Sequence, residues 1–91
     1  MSLAGLAIEV VGWAAAALVV AAYGLLSAGR LGGDSAAYQW MNLLGAVGLV
    51  INTAWNGAWP STAVNLVWAG IGLFALSRLL RRKGRGQATL E

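Results

Sequence analysis

Two stretches of this chain carry no charged residue: the twenty residues between Glu9 and Arg30, and the forty-three between Asp34 and Arg78. A helix crossing a bilayer core about 30 Å thick needs roughly 20 apolar residues. The first stretch therefore has room for one span and the second for two spans joined by a tight turn. That turn is written as Trp55-Asn56-Gly57-Ala58-Trp59-Pro60, because Asn-Gly favours a turn and proline suits a helix start. The pattern predicts an all-α integral membrane protein. Its expected form is a triple-helix bundle with spans at about 7–27, 37–55 and 61–80, followed by a basic cytoplasmic tail over 81–91.

Composition argues against a soluble bundle. Only 10% of the 91 residues are charged and 59% are hydrophobic, whereas soluble domains carry roughly 25% charged residues. No span has the charged face that a surface helix needs. A cleaved secretory leader would need a basic n-region, and Met1–Gly29 contains no Lys or Arg.

The six basic residues share one side of the expected topology. Arg30 sits between spans one and two, and Arg78, Arg81, Arg82, Lys83 and Arg85 follow span three. Cytoplasmic loops retain positive charge during insertion, so the N-terminus is expected outside and the C-terminus in the cytoplasm, in a cell inner membrane. The tail reads as a topology anchor whose arginines snorkel to the interface, with membrane lipid as the partner and nucleic acid not expected.

Amides recur inside the spans, where an unpaired polar group costs several kcal/mol. In span two, Tyr38, Asn42, Gly45, Leu49, Asn52 and Asn56 are spaced by three and four, with Thr53 beside them. This spacing stacks them on about a third of the helix circumference. Span three carries Thr62, Asn65, Ala69 and Gly72 in the same way, with Trp68 one turn past Asn65. Trp68 follows Pro60 by eight residues and so lies about 12 Å along the helix, beyond the headgroup belt that tryptophans prefer. Span one offers small residues, with Tyr23 and Ser27 near its cytoplasmic end. The amides have two readings: hydrogen bonds that hold the helices together, or a wettable surface for a ligand. Glu9 is the one acid within a span, and is read either as an interfacial carboxylate or as a gate or coupling residue.

Taken in order, these residues resemble the bacterial SemiSWEET and PQ-loop small transporters. The resemblance rests on Gly33-Asp34-Ser35 before span two, Trp55-Asn56-Gly57 closing it, and then Pro60 with Asn65 five residues later. The Pro-Gln of that family's first helix has no counterpart in Ala21–Ser27. Thr53 falls in the register of the family's pocket Trp, with Trp55 two residues later. The resemblance implies a parallel homodimer around a central cavity, with helix three between helices one and two in each bundle, and Asn65 as a pocket amide.

The expected function is a facilitative carrier of a small polar solute, a sugar in the family it resembles, through the homodimer cavity. The candidate ligand-binding residues are Asn65, Trp68, Asn42, Asn52, Thr53, Trp55 and Tyr23. The alternative is a non-transporting assembly or regulatory subunit whose Asn stripe binds partner helices. No enzymatic activity, cofactor or metal is expected, because there is no His or Cys and no Ser has a general base beside it.

Overall fold

The computed structural model describes residues 2–90, with side chains described for residues 2–82. The chain is all-α, with α1 at Leu3–Ser27, α2 at Ala36–Trp55 and α3 at Trp59–Leu90. The helix ends follow from capping chemistry. Ser2 accepts the Gly5 N–H at 2.9 Å and Ser35 accepts the Tyr38 N–H at 3.2 Å, each relieving one orphan donor of a first turn. Just past the other ends, Gly29 (φ 76°) and Gly57 (φ 70°) take the left-handed conformation that stops α1 and α2 and that glycine adopts without steric cost. Pro60 is the second residue of α3, where its missing N–H costs nothing.

Two boundaries differ from the sequence expectation. α1 begins before the expected span because Ser2, a polar cap, sets its start rather than the membrane edge. α3 begins at Trp59 and runs through the expected tail to Leu90, a length of about 48 Å at 1.5 Å per residue, well beyond a 30 Å core. The tail side chains from Lys83 onward lie outside the described residues.

α2 packs against both α1 and α3, and among the described residues α1 and α3 do not pack on each other. This corrects the helix order implied by the SemiSWEET resemblance, which put the third helix in the middle. The cause is that α2 alone carries two interaction edges. Gly45 and Gly48 let the α1 backbone approach: a Cβ at Gly48 would lie 2.6 Å from the Ala15 Cβ, and one at Gly45 would lie 3.2 Å from the Ala15 carbonyl oxygen. On the other edge, Gly72 of α3 sits against Leu43, with Asn42, Ala46, Thr62 and Leu76 buried nearby. The buried apolar residues are mostly alanines, and no large side chain is fully enclosed. Close backbone approach and interhelical hydrogen bonds therefore hold the helices together, as in lipid-embedded bundles.

Among the described residues two helical segments, Leu3–Ser27 and Trp59–Arg82, are long and apolar enough to cross a membrane, and only 11% of the apolar eighteen-residue stretch of each is buried within the chain. A core helix of a soluble protein would be covered by its neighbours. Here Val10, Trp13, Val20, Val64, Val67 and Phe74 all face outward. α2 falls outside this pair because Tyr38, Gln39, Asn42, Asn52 and Thr53 dilute its apolar content.

Candidate functional site

The two edges of α2 lie close together around its axis, since Gly45 packs against α1 and Asn42, three residues earlier and so about 60° away, bonds Trp68 of α3. With α1 and α3 apart from each other, an open groove is left between them. α2 runs beneath it with the stripe of Asn42, Gly45, Leu49, Asn52 and Asn56, of which Asn42 and Gly45 are buried at the helix contacts and Leu49, Asn52 and Asn56 are less covered.

The amides of the stripe have partners within the chain. Asn52 Nδ2 donates to the Ile8 carbonyl oxygen of α1 at 3.0 Å, and the Trp68 indole N–H of α3 donates to Asn42 Oδ1 at 2.8 Å. The Thr53 hydroxyl donates to the Leu49 carbonyl at 2.7 Å and accepts from the Thr62 hydroxyl at 2.9 Å. Asn56 Nδ2 donates to the Asn52 main-chain oxygen at 2.8 Å. α2 is thus stapled to α1 through Asn52 and to α3 through Asn42 and Thr53. Among the described residues no buried side-chain N or O atom is left without a partner.

On the α1 wall, Glu9, Gly12, Trp13, Ala16 and Asn52 enclose an open hollow of about 250 Å³. The Trp13 indole N–H donates to Glu9 Oε1 at 3.1 Å across one helical turn. On α3, Pro60, Ser61, Val64 and Asn65 line a second hollow of about 330 Å³.

The structure thus brings some of the expected site residues together and keeps others apart. Asn42 meets Trp68, and Asn52 joins the Glu9 hollow. Asn65 is half-buried beside Ser61 and Val64, and Trp68 bonds Asn42. Tyr23 and Trp55 are exposed, at 67% and 58%, and take no part in either hollow. One residue missed in the sequence is Trp13, whose signal was its position four residues after Glu9, the spacing at which helical side chains meet. Of the span glycines Gly12, Gly24, Gly45, Gly48, Gly70 and Gly72, which the sequence offers for close packing or hinge motion, Gly12, Gly45 and Gly48 are tightly packed, since a side chain at Gly12 would collide with the Asn52 amide, whereas Gly24 and Gly70 have nothing within 4 Å of a Cβ.

No curated protein and no solved structure matches the chain. A family model does match, over residues 8–83, a range that holds the Glu9 hollow, the amide stripe and both interhelical turns. The chain therefore belongs to that protein family, one of unknown function.

Proposed function

We propose that the chain crosses a membrane three times, N-terminus outside and basic end in the cytoplasm, and that two copies join their α1–α3 grooves into a path for a small polar solute. The observation that carries this reading is the groove itself: α1 and α3 are apart while α2 lays a polar stripe between them. In a single copy the carboxylate of Glu9, the amide of Asn65 and the hydroxyl of Ser61 would meet lipid, and a second copy would cover them. A facilitative carrier of this kind opens the path alternately to each side by rocking of the bundles. Flux measured in reconstituted liposomes across a panel of sugars, polyols, amino acids and amines is the direct test. Equilibration of at least one class supports the carrier, and a silent wild-type protein across the whole panel rejects it.

A second reading is a non-transporting membrane subunit. It is favoured by the commitment of Asn42, Asn52 and Thr53 to bonds inside one chain, which makes the stripe an adhesive for helices. Crosslinking in native membranes separates the two readings: a subunit traps a different protein, and a carrier traps its own copy.

A further inference from the structure

The hollow on α1 has an electrostatic character that the carrier reading does not use. The Trp13 N–H is committed to Glu9 Oε1 and Asn52 Nδ2 is committed to the Ile8 carbonyl. The groups left uncommitted are the second carboxylate oxygen of Glu9, the amide oxygen and the second amide N–H of Asn52, and the π face of Trp13. All but the Asn52 N–H are electron-rich. Gly12, between Glu9 and Trp13, keeps the space open, because any side chain there would collide with Asn52.

Among the described residues no basic side chain stands beside this carboxylate. Met1–Gly29 and Ala36–Ser77 contain no basic residue, and Arg30 is twenty-one residues further along the chain than Glu9, about 31 Å if counted at the rise of α1. The residues of α2 and α3 at the same level, Asn52, Thr53, Asn56, Ser61 and Thr62, are neutral. An anionic group on an otherwise apolar helix wall is best satisfied by a cationic partner. A hard metal ion is a poor fit, since Ca²⁺ takes about 6–8 oxygen ligands and one carboxylate supplies two. The volume of about 250 Å³ is below the roughly 300–1,000 Å³ of drug-sized pockets, so the group seated in it is small.

We propose that this hollow binds a small organic ammonium ion, with its N–H groups bonded to Glu9 and Asn52 and its charge against the Trp13 ring. This narrows the carrier's solute to a class, and for transport it rests on that reading; binding does not require it. The test uses the full chain in detergent, with ethylammonium chloride as the probe and n-propanol and potassium chloride as neutral and inorganic controls. The Trp13 indole N–H signal in proton NMR, assigned by its loss in Trp13→Phe, reports occupancy.

Ethylammonium should shift that signal saturably where the two controls do not. Glu9→Gln keeps an acceptor for the Trp13 N–H and should weaken binding at least about tenfold, the scale of one charge-assisted hydrogen bond. A second variant, Trp13→Leu, read by the probe's own line broadening, should weaken binding roughly threefold or more through loss of the cation–π contact. No saturable shift, an equal response to potassium or propanol, or full binding by Glu9→Gln overturns the proposal. Binding without ethylammonium flux in liposomes supports the site and counts against the carrier. Flux of neutral solutes without ammonium binding does the opposite.

Discussion

The Trp68 indole N–H lies 2.8 Å from Asn42 Oδ1, joining α3 to α2 at a position where Asn42 is only 7% exposed. This contact accounts for a tryptophan eight residues into the helix past Pro60. Its polar edge is spent on Asn42, and the rest of the ring, 47% exposed as a residue, is apolar surface that lipid or a partner helix can cover.

Removing the donor should leave a buried acceptor unpaired. Trp68→Phe is therefore expected to destabilise the bundle by about 1–3 kcal/mol, the cost of an unsatisfied buried polar group. Adding Asn42→Leu removes the orphaned amide and should recover part of that loss. Denaturation in mixed micelles followed by circular dichroism reads both. A Trp68→Phe chain within roughly 0.5 kcal/mol of wild type, the range of ordinary surface substitutions, would mean that the bond is not a staple.

The glycines divide into two groups with opposite predictions. At Gly48 a Cβ would sit 2.6 Å from the Ala15 Cβ, so Gly48→Leu must push α1 away and should cost about 1–3 kcal/mol or more through overpacking. Gly70 has nothing within 4 Å of a Cβ. Gly70→Ala should gain up to about 1 kcal/mol from helix propensity alone. The same micelle titration compares them, and equal effects of both substitutions would contradict the packing described between α1 and α2.

Three helices, the turn at Gly57 and the role of Pro60 were legible in the sequence because charge gaps, capping residues and turn glycines are local signals. The helical spacing also revealed that Asn42 and Asn52 share a stripe. It could not reveal what each amide bonds to, since Ile8 is forty-four residues from Asn52 and that pairing depends on how α1 docks. Helix order was illegible for the same reason: Gly45 and Gly48 signal close approach without naming the helix that approaches. Trp13 was locally legible, since it stands one helical turn after Glu9 on the same face.

The proposed topology can be tested with single cysteines, because the chain has none. Trp59→Cys is exposed at the start of α3, and Gly33→Cys lies in the loop before α2. In intact cells a membrane-impermeant thiol reagent should label the first directly and the second only after the inner membrane is permeabilised. The reverse pattern would invert the orientation, and equal labelling of both would put the two turns on one side, which three spans do not allow.

Asn52 and Asn65 are both half-buried amides, and they should respond differently to the same truncation. Asn52 holds the Ile8 carbonyl and fills the space beside Gly12, so Asn52→Ala should loosen α1 by about 0.6–2 kcal/mol, the worth of an interhelical bond in a membrane. Among the described residues Asn65 makes no side-chain hydrogen bond, and it borders the hollow with Ser61 and Val64. Asn65→Ala should therefore leave stability within roughly 0.5 kcal/mol of wild type while lowering solute flux about tenfold, the scale of one or two hydrogen bonds to a ligand. Flux unchanged in Asn65→Ala but reduced in proportion to stability in Asn52→Ala would place the amides wholly in helix adhesion. The non-transporting subunit would then be the better account of the groove.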